Sequence, residues 1–103
     1  MANTFRTGSF TGAGVAVNLS IGWIPDYVKT FNRTDGTTTH EWNSNMADGT
    51  SIATITTAGP VLNAADGMTP YAGSSSAGKG ITLGTDICTN AKVIDWVAFR
   101  HVE

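Results

Sequence analysis

The sequence predicts an all-β fold, a compact antiparallel β-sandwich or jelly-roll-like barrel of about seven or eight short strands with little helix. Three observations carry this expectation. Short β-prone runs recur along the chain, Gly, Pro and Asp-Gly signals separate them, and no apolar i, i+3, i+4, i+7 pattern persists anywhere. The chain has 103 residues, 12 glycines and 3 prolines. That length supports one domain, spanning residues 1–103, because a chain this short cannot feed two separate cores.

Taken in order, residues 4–10 are β-prone and end at the turn-forming Thr11-Gly-Ala-Gly14. Residues 15–21 set Val15, Val17, Leu19 and Ile21 on one face against Ala16, Asn18 and Ser20 on the other, the signature of a half-buried strand. Pro25 fixes its own φ and pushes Ile24 into an extended conformation, so the chain turns there. Residues 27–32 form the next strand, with Tyr27, Lys29 and Phe31 opposing Val28 and Thr30. Asp35-Gly36 is a hairpin signal, and residues 37–42 are the return strand. Residues 43–49 read as a loop around a second Asp-Gly pair, with a helical turn over Asn45 to Asp48 as the alternative, residues 51–57 as a strand, and Val61-Leu62 as a short apolar piece. Residues 63–80 contain Asp66-Gly67, Pro70 and Gly73-Ser-Ser-Ser-Ala-Gly78, and read as a long loop, mobile or engaged with a partner. Two closing strands follow, at 81–83 and 93–99. The last alternates Val93, Asp95, Val97 and Phe99 with Ile94, Trp96 and Ala98, so both of its faces carry bulk, and it should be covered on both sides, or on one side by its own sheet and on the other by a neighbouring subunit.

Composition excludes several functions. Hydrophobic residues make up 41% of the chain, too many for a disordered segment, and no apolar run approaches the ~18 residues of a membrane span. No membrane partner is expected. Only 14% of residues are charged, Lys and Arg together number 6, and the net charge is −2. That leaves little material for a counterion-releasing surface, so no nucleic acid partner is expected either. The single cysteine, Cys88, cannot form an internal disulfide and reads as a buried or semi-buried free thiol. The start shows no basic segment followed by an apolar one, so folding in a cytoplasm is expected.

The candidate motifs for chemistry all fall short of their required context. Gly73-Ser-Ser-Ser-Ala-Gly78-Lys79 fits the spacing of a phosphate-binding loop, but Gly80 stands where Ser or Thr should bind Mg²⁺, and no helix pattern follows. His40 and His101 could serve as general bases, yet His40 and Glu41 point to opposite faces of a strand and no Gly-x-Ser-x-Gly elbow supplies a nucleophile. Both read as surface or interface histidines. The three Asp-Gly pairs lack calcium-loop spacing and read as turns. No catalytic residue, metal or cofactor is expected. Three tryptophans, two tyrosines and four phenylalanines mostly fill a core or a subunit interface. Trp23 should be the most exposed tryptophan, because it sits in the turn before Pro25.

Several motifs in order carry a resemblance. They are Gly8-Ser-Phe-Thr-Gly12, Val17-Asn-Leu-Ser-Ile-Gly-Trp-Ile-Pro-Asp-Tyr-Val-Lys29, Asn32-Arg-Thr-Asp-Gly36, Glu41-Trp42 with Met46-Ala-Asp-Gly49, Gly80-Ile-Thr-Leu-Gly-Thr-Asp86, and Asp95-Trp-Val-Ala-Phe-Arg100. Together they span nearly the whole chain, and the chain resembles small structural proteins of tailed-bacteriophage particles, of the capsid decoration or cement kind. The resemblance implies no enzyme activity. It implies a virion protein that is made in the host cytoplasm, binds the outer capsid surface and stabilises the head. Its implied partners are the major capsid protein and copies of itself, with a homotrimer favoured and a dimer second. Partner contacts are expected from the N-terminal segment 1–10, the 63–80 loop and the last strand, with Phe5, Phe10, Trp23, Tyr71, Trp96 and Phe99 as candidate residues. The alternative is a tail, fibre or baseplate component that recognises a glycan through Trp23 or Tyr71.

Overall fold

The computed structural model describes residues 4–74 and 78–101 and is all-β. Eight antiparallel strands, β1 (Phe5–Thr11), β2 (Val17–Ser20), β3 (Tyr27–Asn32), β4 (Thr38–Asn43), β5 (Thr50–Ile55), β6 (Gly59–Tyr71), β7 (Gly80–Leu83) and β8 (Val93–Phe99), form one sheet in the order β1-β8-β3-β4-β5-β6-β7-β2. The sheet curls into a half-barrel. Its two edge strands, β1 and β2, are consecutive in sequence and joined by residues 12–16 alone, so the curl must bring opposite edges near each other. Arg6 closes part of that gap by donating from Nη1 to the carbonyl of Ile21.

Alternation decides which side faces in. Val28 and Thr30 of β3, His40 and Trp42 of β4, Ser51 and Ala53 of β5, and Ile94, Trp96 and Ala98 of β8 are all buried on the concave face. Met68, Ile81 and Leu83 continue this core across β6 and β7. Asp95, the polar interruption in the last strand, points outward, where Arg33 Nε meets its Oδ2 at 2.7 Å. The Arg33 hydrogen bond first, then one from Ser9, hold its carboxyl below the usual carboxylate range.

The concave face is covered by the chain itself. After β7, residues 84–92 turn inward, placing Ile87 and Cys88 in the core. Cys88 is a free, buried thiol, as expected from its neighbours, and burial pushes its pKa up. Gly84 is required where this segment starts, because a Cβ there would lie 2.1 Å from the carbonyl oxygen of Asp66.

Several expectations need correction. The 63–80 segment is not one loop: β6 runs on to Tyr71, and only residues 72–79 lie between strands. Ser51 pairs with Asn63 but Thr50 with Met68, so residues 64–67 form a wide bulge in β6. Asp66, with φ of 57°, belongs to this bulge, so the Asp66-Gly67 signal marks a change of strand partner and not a chain reversal. Before the bulge β6 pairs with β5, and after it with β7. The N-terminal segment, from Phe5 on, is an edge strand paired along its length with β8 and not a free arm. Residues 1–3 and 75–77 of the expected contact segments lie outside the described residues. The Asp35-Gly36 hairpin forms, but with residues 33–37 between the strands: Asn32 Oδ1 accepts from the Asp35 N–H at 3.0 Å and the Asn32 carbonyl from the Gly36 N–H at 2.8 Å. As expected, the phosphate-loop spacing leads into β7 and not into a helix.

Gly8 lies opposite Trp96, and a Cβ there would sit 2.5 Å from the indole ring. Only glycine lets that ring lie flat on β1. Gly8→Ala should lower the unfolding free energy by about 1–3 kcal/mol, as overpacking does, which urea unfolding followed by tryptophan fluorescence measures. An unchanged midpoint would show that the Trp96 ring can move aside at no cost.

Candidate functional site

The convex face brings two of the expected contact residues together. Antiparallel register places Phe5 opposite Phe99 and Phe99 opposite Tyr27, so three aromatic side chains form one row across β1, β8 and β3. The Phe5 and Phe99 ring centroids are 4.9 Å apart and the Tyr27 and Phe99 centroids 6.0 Å, both pairs tilted, a geometry that aromatic quadrupoles favour. Phe5 is 50% exposed and Phe99 43%, although both touch another ring. The backbone braces this end of the sheet: the Asp26 N–H donates to the Phe99 carbonyl at 2.8 Å and the Arg100 N–H to the Thr4 carbonyl at 3.0 Å. Below the row, Lys29 Nζ and Glu41 Oε1 form a 3.3 Å ion pair across β3 and β4.

The other candidates are placed differently. Phe10 is half-buried against the core, and Trp96 is a core residue under Gly8. Trp23 is only 8% exposed, against the expectation of an open ring. The Arg100 guanidinium lies 4.9 Å from its ring centroid, so a cation occupies the face that a sugar would have needed. Tyr71 ends β6, half-buried opposite Gly80. Tyr27 was not among the candidates. Its outward position was legible from alternation with Val28, but its place beside Phe99 depends on the pairing of β3 with β8, for which no local signal exists.

His40 corrects a further expectation. It is not a surface residue but 6% exposed on the concave face. Its Nδ1 lies 2.9 Å from Ser51 Oγ, which also accepts from Asn63 Nδ2 at 3.3 Å. Ser51 is fully buried, so its hydroxyl sits in a structural hydrogen-bond chain without solvent access. Burial lowers the pKa of His40, while the charge of Asp86 acts the other way. Among the described residues no group of three or more His, Cys, Asp or Glu side chains is placed to hold a metal ion.

In comparison with known proteins, the chain matches no family profile, no curated protein and no solved structure.

The His40 environment sets a pH dependence. With the folded pKa depressed below the ordinary value of 6.5, the unfolded chain takes up a proton first as pH falls. The stability contributed by neutral, buried His40 is therefore complete above that value, declines below it, and is fully lost once pH has passed the folded pKa. His40→Asn, which keeps a hydrogen-bonding group toward Ser51, should remove this slope. Urea midpoints across that window test it, and parallel profiles for both proteins would assign the slope to other groups.

Proposed function

We propose that this protein is a structural component of a tailed-bacteriophage particle, a decoration or cement protein that binds the outer capsid surface and stabilises the head. The observation that carries the reading is the aromatic row Phe5, Phe99 and Tyr27, held open on the convex face beside the unpaired edge of β1. Rigid, exposed aromatics with a polar surround have the make-up of an interface anchor, because they bury much area at little conformational cost. The resemblance of the ordered motifs to small structural proteins of tailed-phage particles points the same way. So does the sparse charge, since a surface with few ions makes contacts through apolar area and neutral hydrogen bonds.

A shell under internal pressure gains from such a protein through linkage. A molecule that binds only the assembled shell shifts the equilibrium toward that state by an amount that rises with its free concentration relative to its Kd. Capsid sites repeat by symmetry, so the protein acts as a homo-oligomer, most simply a trimer on three-fold positions. The major capsid protein is its partner.

The double variant Phe5→Ser, Phe99→Ser should keep the fold, because both side chains lie outside the core. It should weaken binding to shells lacking the protein by roughly tenfold or more, since truncating an anchor aromatic costs about 2 kcal/mol. Co-sedimentation with such shells reads this directly, and retention of binding would remove the row from the interface. Particles without the protein should disassemble at lower temperature than complete ones. Electron cryo-microscopy decides the position, as density on the capsid surface supports the proposal and density confined to the tail defeats it.

A further inference from the structure

Two adjoining cavities open on the concave side, of about 60 and 270 Å³, and Thr38, His40 and Asp86 border both. The larger is walled by Ala53, Ile55, Val61 and Leu62 of the β5–β6 hairpin, and the last three of these expose apolar surface. His40 supplies the polar floor. If Asn63 donates to Ser51 Oγ and Ser51 in turn donates to His40 Nδ1, every group in the chain is satisfied and the imidazole proton rests on Nε2. Among the described residues Nε2 has no hydrogen-bond partner. No buried side-chain polar atom among the described residues is left without one, so Nε2 must be open to the cavities that His40 lines. Asp86 comes from the inward-turning segment that covers the sheet, and its carboxylate makes no hydrogen bond or ion pair with the described residues. The cavity thus holds a donor on the strand wall, an acceptor on the covering segment and aliphatic carbon between.

That pattern selects a ligand class. An ammonium group cannot accept from an N–H, and a carboxylate or phosphate would be repelled by Asp86. A trans secondary amide fits, because its carbonyl and N–H point in opposite directions and its methyl group can meet the aliphatic wall. At about 270 Å³ the larger cavity lies below the ~300–1,000 Å³ of sites for drug-sized molecules, so it holds one acetamide with part of a ring and not a continuing peptide. We propose that the cavity binds the acetamido group of an N-acetylhexosamine, with the carbonyl accepting from His40 Nε2–H, the amide N–H donating to Asp86, and the methyl against Ile55 and Val61. The site does not rest on the capsid reading.

The test is NMR titration of the full chain with methyl N-acetyl-β-D-glucosaminide and its galacto epimer, beside methyl β-D-glucopyranoside and n-butylamine. The acetamido sugars should move the His40 ring protons and the Ile55 and Val61 methyls in a saturable way, while the glucoside leaves them still. Asp86→Ala, an exposed position, should weaken this binding at least tenfold without altering the rest of the spectrum, and Val61→Asp should abolish it. Three results would each overturn the proposal: equal shifts from the glucoside, binding of butylamine in place of the sugars, or no shift from either acetamido sugar at tens of millimolar.

Discussion

The fold depends on the inward turn of residues 84–92. A single curled sheet has a concave face that its own strands cannot fill, and here one segment of the chain fills it with Ile87 and Cys88. The same segment ties distant parts of the sheet together. Gly12 donates to the Lys92 carbonyl at 2.8 Å and accepts from Ala91 at 2.9 Å, Gly14 donates to the Cys88 carbonyl at 2.9 Å, and Gly84 donates to the Gly67 carbonyl at 2.7 Å. The first three bonds hold the link between the edge strands, and the last holds the β6 bulge. Without this segment the curl would have nothing to close upon. The backbone of buried Gly12 would also lose both its partners, at the cost of leaving its N–H and carbonyl unsatisfied.

The inward turn also divides labour between the two faces. With the concave side filled by tryptophans, aliphatics and the covering segment, the convex side of β1, β8 and β3 owes nothing to the core. Its aromatics are free to meet something else. Where the covering segment meets the hairpin of β5 and β6, the filling is incomplete, and His40 and Asp86 border the gap. Both candidate surfaces therefore follow from one packing solution: the first is the side that the core does not need, the second the place that the core does not reach.

Much of this was legible in the sequence, for a definite reason. The two-residue period of Tyr27 to Asn32 and of Val93 to Phe99 marked the extents of β3 and β8, because alternating burial leaves a direct trace in residue type. Bulk on both faces of β8 suggested cover on both sides, whereas Asp95 points outward and Phe99 is 43% exposed. β6 was not legible. Pro60, Asp66, Gly67 and Pro70 read locally as chain breaks, yet the strand tolerates them because its pairing switches from β5 to β7 across the bulge, a tertiary cause invisible to a local window. Trp23 misled for a similar reason: a turn before proline suggests exposure, but Arg100, far along the chain, covers the ring. The histidine site depends on a pairing of the same long-range kind. Ser51 and Asn63 face each other across β5 and β6, and His40 joins them only through the register of β4 with β5.

The positions of the two surfaces bear on whether one molecule could use both. Tyr27 and Phe99 lie at the end of the sheet where β4 finishes at Asn43, whereas Thr38 and Ile55 mark the opposite end, where the cavity opens. Five residue steps of strand lead from Thr38 to Asn43, which at ~3.4 Å per residue is about 17 Å, and the two surfaces also look to opposite faces. A flat partner seated on the aromatic row would cover the convex face and leave the cavity mouth in solvent. The sparse charge suits this arrangement, since neither an aromatic contact nor an amide between a neutral imidazole and a single carboxylate depends on long-range fields that salt would screen. The proposed attachment and the proposed recognition would then compete for neither residues nor space, so a change in one would leave the other intact.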